Sequence, residues 1–595
     1  MARHSYSLGV VGNCAFMAHI DSRASVAWMC WPRFDSRFVF GGLLDEEAGG
    51  CFAVTPADPD ATSRQYYQDN TNVLVTEFEA ADGRFRVVDF APRFLQYERA
   101  FKPLMLMRRI ELVEGAPSIV VRCRPAPREG GAVTVLEGSN HLRFEGFEAP
   151  LRLTSDVPLT YVRGERVFRL LGDRHLVLSW GPPLEAPLES TVRSFLEKTV
   201  RYWRGWVRDC AVPEFAQEAV IRSALALKIH QYEDTGALIA AGTTSLPEAP
   251  GSGRTWDYRF CWLRDAYYVL SAFDHLGHFE EMRAFADFIH NIGVDACDRV
   301  QPVFGIGGET ELVERQLDLR GYRGEGPVRV GNQAYTHVQN DVYGQILCSL
   351  LPLYVDARFV GEDRLRSTAL VERVLDRIDE TMDVPDAGLW ELRSKAWKHT
   401  YTFLFHWAGA LAGARIAHSV GDRALWKRAR ALRDRAAAQI ERAYDPAKNA
   451  YGHAIGSDWC DASLLQLVTM GYLRERPERA RALVEHVERR LMMAPGYLRR
   501  YDHADDFGLP EVAFNVCGFW YIEALATVGR VDDAMAAFDH LMQCRNGHGL
   551  LSEDSDPADF SQWGNFPQTY SHVGVINAAF RIARARDLPR YVIDR

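Results

Sequence analysis

The apolar positions of this chain fall into two regimes. Over residues 1–190 they come as short runs with alternation, such as Val10-Val11, Asn72 to Phe78, Phe85 to Phe90, Ile119 to Val121, Val133 to Leu136 and Val167 to Leu171. Asp-Gly, Gly-Gly and proline clusters cut these runs, so a period of two rich in Val, Phe and Thr predicts an antiparallel β-sandwich. Pro182, Pro183 and Pro187 then punctuate the chain, and a linker or linking helix is expected before residue 213, with 191–212 as the linker proper. From Pro213 to the end the period becomes 3.6. Twelve helical stretches are predicted, near 213–230, 264–276, 278–292, 340–356, 364–382, 400–420, 424–444, 461–473, 479–491, 514–528, 531–544 and 568–586.

Tight turns at Gly277, Gly361, Gly421, Pro477 and Gly529 pair these helices, and most of the intervening connections are much longer. Short turns make antiparallel neighbours, so the long loops must all emerge at one end of the array. Six hairpins closing on themselves make an (α/α)6 barrel over 213–595. A superhelical array would alternate in the same way, but no repeat of about 34 residues is visible. The expected fold is therefore mixed β and α: a β-sandwich, then the barrel.

Composition narrows the functional classes. The 595 residues are 47% hydrophobic and 25% charged, with 69 Lys+Arg against 79 Asp+Glu, a formal net charge of -10. Without a basic run nucleic acid is not an expected partner, and without 18 uninterrupted apolar residues neither is a membrane. The opening MARHSYSL is followed by an apolar stretch broken at Gly12, Asn13, His19 and Asp21, so a cytoplasmic protein is expected. Eleven cysteines stand singly, in an odd number and with no Cys-x-x-Cys pair. Free thiols are expected, with no disulfide framework, no metal site and no cofactor. Homo-oligomerisation is left open.

The long loops carry the candidate chemistry. The loop from Thr243 to Asp265 holds Trp256, Asp257, Tyr258, Arg259, Trp262, Arg264 and Asp265. Flat apolar faces beside rigid hydrogen-bonding groups suit a sugar, whose C–H faces must be covered and whose hydroxyls must be satisfied. Arg264 and Asp265, at a helix start, are placed to grip neighbouring hydroxyls; the competing reading is a structural ion pair at a helix N-terminus. Glu391 sits between Trp390 and Leu392, where apolar burial would keep a carboxyl protonated. Glu553 lies in the last long loop, at the same end of the barrel. Two carboxyls brought face to face by a fold are what glycoside hydrolysis requires. His399 and His406 are read as packed core residues, His572 as a partner for loop backbone, and Asp502, Asp505, Asp506 and Glu511 as a solvated loop whose spacing fits no EF-hand.

Several motifs recur together: Ser25 to Ser36 (SVAWMCWPRFDS), Arg254 to Ala266 (RTWDYRFCWLRDA), Gly331 to Ala334, Trp390-Glu391, Asp461 to Leu465, Arg500-Tyr501 and Gly564 to His572 (GNFPQTYSH). In this order they resemble glycoside hydrolase family 15, the group of glucoamylases, glucodextranases and bacterial trehalases. The resemblance implies a sandwich and an (α/α)6 barrel, inversion at the anomeric carbon and no metal. It also implies Glu391 as general acid, Glu553 as general base, Arg264 and Asp265 on the non-reducing glucose, Tyr258 on the water and Arg500 near the +1 sugar. Trp262, Trp390 and Trp397 are added as substrate-binding aromatics. The chain departs from the family at 397–404, the expected leaving-group side, and at Asp554, where fungal glucoamylases carry Gln. The function expected is an inverting exo-acting hydrolase, glucoamylase-like, releasing β-glucose from a small α-glucoside, with trehalase as the alternative. Small saccharides are preferred over starch because Trp397, Phe403 and Phe405 should crowd the leaving-group side. A phosphorylase would not need Glu553 as a base, and a non-catalytic sugar-binding protein would have lost one of the two glutamates.

Overall fold

The computed structural model describes residues 3–127, 131–294, 299–359 and 368–586. Its amino-terminal part is built of two antiparallel sheets. One has seven strands and runs Leu8–Gly12, Met17–Asp21, Ser25–Cys30, Cys51–Pro56, Ser118–Arg124, Phe168–Arg169, with Phe38–Phe40 against Ser25–Cys30. The other has eight, from Thr134–Glu137 at one edge through Arg174–Trp180, Met105–Gly115 and Gly83–Phe90 to Thr62–Tyr67 at the other. Alternation along Gly83–Phe90 shows why this is a sandwich with both faces covered. Phe85 and Val87 enter the core between the sheets, while Val88 and Phe90 face outward and pack with Val192 and Leu196 of the helix Leu188–Arg208. Where the strand cannot avoid a buried charge it is fully paired: Arg108 Nε donates to Asp89 Oδ1 at 2.7 Å, and its other nitrogens donate to the carbonyls of Phe52 and Ala24.

Residues expected as linker thus form most of a 21-residue helix. Its amino half covers the sheet, and its Trp203, Trp206 and Val207 belong to the barrel core. The helix is a strut between the two parts.

In the barrel an inner ring of helices closes through contacts between neighbours: Leu263–Leu276, Asp341–Val355, Thr400–Ser419, the 462–469 segment, Asn515–Thr527 and Thr569–Arg586, which returns to the first. The outer ring is Gln217–Ile229, Phe279–Asn291, Thr368–Thr381, Arg423–Glu441, Pro477–Leu491 and Val531–Leu541. The first five inner helices each lead into an outer one, while the last, Thr569–Arg586, packs on Gln217–Ile229 from the start of the barrel, which makes the chain an (α/α)6 barrel; the turn expected at Gly361 lies outside the described residues. Inner helices approach closely where side chains vanish, and a Cβ on Gly344 would meet the Phe405 carbonyl oxygen at 2.0 Å. The stretch expected as a helix over 461–473 is shorter. It is a 3-10 turn, Ala462–Leu465, opened by Asp461 accepting from the Ser463 amide at 2.7 Å, then one α turn, Gln466–Thr469, before Gly471 turns the chain at φ +80°. No helix among the described residues is long and apolar enough to cross a membrane.

Candidate functional site

Every inner helix is entered from a long loop, so the inner amino ends and their loops gather at one mouth. Two small compartments of similar volume lie there and share the wall Tyr258, Trp390, Glu391 and Arg500. The deeper one is completed by Trp262, Arg264, Asp265, Phe514, Glu553 and Tyr570. The outer one adds Glu248, Arg254, Trp256, His337, Arg393 and Phe507.

Glu391 is held by its turn and by three donors. Gly388 at φ +66° and Glu391 itself at φ +59° turn the backbone sharply, with the Glu391 amide donating to the Gly388 carbonyl at 3.2 Å. A Cβ on Gly388 would meet the His399 ring at 2.6 Å, so only glycine lets the turn sit on that imidazole. A left-handed glutamate is a rare conformation that its surroundings must impose. Trp262 Nε1 donates to Glu391 Oε1 at 2.7 Å, Gln339 Nε2 at 3.2 Å and an Arg264 amino group at 3.4 Å. All three reach one oxygen, and no hydrogen bond from a described residue reaches Oε2.

The deep floor is a buried polar network. Arg264 donates to Gln339 Oε1 at 2.7 Å and to the Tyr570 hydroxyl at 3.1 Å, and stands 3.5 Å from Asp265 Oδ1. Asp265 Oδ1 is buried without a hydrogen-bond partner, and desolvation pushes the carboxyl up to about 6 against the pull of Arg264. A buried acceptor facing a cavity costs free energy unless a ligand hydroxyl supplies the missing donor. Asp265→Ala is therefore expected to lower kcat/KM about 100-fold, because a substrate hydroxyl loses its acceptor where water cannot replace it. Activity close to wild type would place the sugar elsewhere.

Glu553 lines the same deep compartment, at the end of a three-stranded sheet, Ala513–Phe514, Asp554–Asp556 and Ser561–Trp563, that ties the last two loops together. It is 2% exposed, Tyr258 reaches its carboxyl, and its Oε2 has no partner. Burial first, then the neighbouring Glu248 charge, push it up to about 8, against the opposing pull of Arg500. Arg500 is itself buried, ion-paired with Glu248, whose Oε1 accepts from Trp256 Nε1 at 3.2 Å. Asp554 is fully desolvated and raised as well. Two carboxyls on one compartment, one partly open and held by donors on one oxygen, the other dry, can divide the work of an acid and a base.

The structure thus brings Tyr258, Trp262, Arg264, Asp265, Trp390, Glu391, Arg500 and Glu553 to one wall and floor. Trp390 is anchored by its indole N–H on Asp461 at 2.6 Å and packs near Tyr501 and Phe514. Trp397 lines neither compartment: its backbone pairs with Asp386 in both directions at 2.9 Å, and its ring packs against His453 and Trp459, each 5.6 Å away. Phe403 and Phe405 face the barrel core. The crowding expected from these three is therefore absent from the compartments, whose outer rim is built by charged residues of other loops. Arg254 binds Asp505 at 2.8 Å, the Arg393 amide donates to Asp506 at 2.8 Å, and the Arg393 guanidinium lies 4.6 Å from the Trp256 ring centre. Asp505 and Asp506, expected as a solvated loop, are these rim acceptors, and His406 is a packed core residue whose Nε2 donates to the Asn340 carbonyl at 3.0 Å. Glu248, Gln339 and Tyr570 were not singled out from sequence. Glu248, inside the first aromatic-rich loop, and Tyr570, inside the Gly564 to His572 motif, carried some local signal; Gln339 carried none.

Residues 214–580 match the family model described as glycosyl hydrolases family 15, and residues 3–160 match that described as trehalase-like, N-terminal. Among curated proteins, a trehalase of Thermoplasma volcanium is 32% identical over 97% of this chain and 93% of its own length. A trehalase of Mycobacterium tuberculosis is 30% identical over 96% and 88%. A bacterial glucoamylase solved with acarbose shares the fold with a TM-score of 0.68 at 16% identity, covering 98% of this chain and 94% of that one.

Proposed function

The chain belongs to glycosyl hydrolase family 15 and is a glycoside hydrolase, and on that premise we propose that it hydrolyses α,α-trehalose with inversion. The order expected from sequence, a glucoamylase-like enzyme ahead of trehalase, is thereby reversed. The observation that carries the reading is the pair of like-sized compartments meeting at Glu391. Trehalose is two glucose units joined through both anomeric carbons, and its single bridging oxygen would lie where the compartments meet. The rim pairs Arg254–Asp505 and Arg500–Glu248 suit one further hexose better than an extended chain. Relatives called trehalase over nearly the full length support the same choice.

In this reading Glu391 gives its proton to the bridging oxygen as the C–O bond to the deep glucose breaks. Water attacks that anomeric carbon from the opposite face, and Glu553 takes the water's proton. Trp262, Gln339 and Arg264 orient Glu391 through one oxygen, leaving the other for the leaving group. Arg264 and Asp265 hold the deep glucose, and Arg500 the departing one.

Kinetic comparison of trehalose, maltose, isomaltose and soluble starch tests the substrate, with kcat/KM for trehalose expected to lead by about tenfold or more. Starch as the best substrate would return the enzyme to the glucoamylases. Stereochemistry tests the mechanism. The departing glucose keeps its own anomeric oxygen and leaves as the α form, while the attacked glucose leaves as β. NMR before mutarotation should find equal α and β. A retaining enzyme would give α alone.

A further inference from the structure

Beside Glu553 stands a carboxyl that the proposed mechanism does not use. Asp554 is 1% exposed, and neither of its oxygens has a hydrogen-bond partner among the described residues. It cannot be dismissed as a solvated neighbour of the base. Gly564, at φ +74°, passes directly beneath both residues. A Cβ built there would lie 2.7 Å from Glu553 Oε2 and 3.0 Å from Asp554 Oδ2. Two orphan oxygens so near one point are within the span of a direct hydrogen bond or one bridging water, and the absent side chain leaves the space open.

The charges around them do not balance. Facing the pair are Glu248, Arg500, Arg254, Tyr258 and, from the first strands, Tyr6, whose hydroxyl donates to the Gly564 carbonyl at 3.0 Å. Arg500 is taken by Glu248 and Arg254 by Asp505. Two further ionised carboxylates with no donor but the Tyr258 hydroxyl would be left in a dry site, which costs far more than one. One proton held between them removes the conflict and supplies the donor that both orphan oxygens lack.

We propose that Asp554 is a positioning residue for the water-activating carboxylate: it stays protonated and donates, directly or through one water, to Glu553 Oε2, holding Glu553 ionised with its other oxygen free for the attacking water. The Asp554 proton does not leave during turnover; the proton released by the water goes to Glu553. This rests on Glu553 being the base. Asp554 is favoured as the proton holder because desolvation and the adjacent Glu553 charge both raise it.

Asp554→Asn keeps a donor, and Asp554→Leu removes it at similar size. The Asn variant should stay within about threefold of wild type. The Leu variant should lose roughly tenfold or more in kcat/KM, with its acidic limb moved to higher pH because ionised Glu553 has lost a donor. An infrared difference spectrum at about pH 9, where Glu553 has lost its proton, wild type minus Asp554→Asn, should show the C=O stretch of a buried protonated carboxyl. That measurement stands even if the Leu variant fails to fold. No such band, an Asn variant as damaged as Leu, or an active Leu variant with an unmoved pH profile would each overturn the proposal. Glu553→Gln, assayed alongside with azide, separates the premise: if that variant remains active without azide, Glu553 is not the base, whatever Asp554 does.

Discussion

Replacing Glu553 by Gln is expected to lower kcat on trehalose about 10³-fold or more while leaving a folded protein that still binds sugar. The amide fits where the carboxyl stood but cannot take a proton from water. Azide, which needs no deprotonation, should restore part of the rate and yield a glucosyl azide of β configuration. Its failure to appear would remove Glu553 from the role of base. The same variant should be more stable. Burial raises Glu553 from its ordinary 4.5 to about 8, so the native state binds the extra proton between those values. Its contribution to stability is present below pH 4.5 and is lost as pH rises through 8, where a dry carboxylate must be kept. The Gln variant lacks this cost, and its Tm above pH 8 should exceed wild type by about 2 °C or more. For wild type, kcat/KM should fall as Glu553 takes up its proton, with an acidic limb above the usual carboxylate range, toward pH 8.

Glu391→Gln should be nearly as harmful on trehalose, by about 10²–10³-fold, but selectively. The sugar leaving from trehalose departs as a poor alkoxide and needs the proton that Glu391 gives. Glucosyl fluoride needs little help, so the variant should retain most of its activity there. The hydrogen bonds donated by Trp262, Gln339 and Arg264 all fall on Oε1, which the glutamine carbonyl can accept equally, so the difference reports proton transfer and not a displaced loop. Equal losses on both substrates would assign Glu391 to binding.

How much of this was readable in the chain depends on the range over which each property is set. Period two along Phe85 to Phe90 and period 3.6 from Pro213 onward are properties of the local backbone, so sandwich and barrel were legible, down to most helix ends. The segment over 461–473 was misjudged in length because its apolar run continues past the point where Gly471 turns the chain. Trp390-Glu391, the Arg264-Asp265 pair and Ser552-Glu553 carried their chemistry in short motifs, and the fold collects them around the shared wall.

Other features exist only once the loops converge. Trp397 looks from sequence like a sugar-facing aromatic; its backbone pairing with Asp386 and the rings of His453 and Trp459 turn it away. Gln339 has no local mark of function and Tyr570 is marked only as a member of the Gly564 to His572 motif, yet both hold Arg264, from segments 75 and 306 residues away along the chain. Ionisation is the extreme case. The states of Asp265, Glu553 and Asp554 follow from the water excluded by the whole mouth of the barrel and from charges on other loops. The sequence by itself determined which elements form and which residue types are available to act on a sugar. Tertiary structure alone decided which of them face one cavity and in what charge state, because desolvation and contact between distant loops are sums over the packed molecule that no local pattern records.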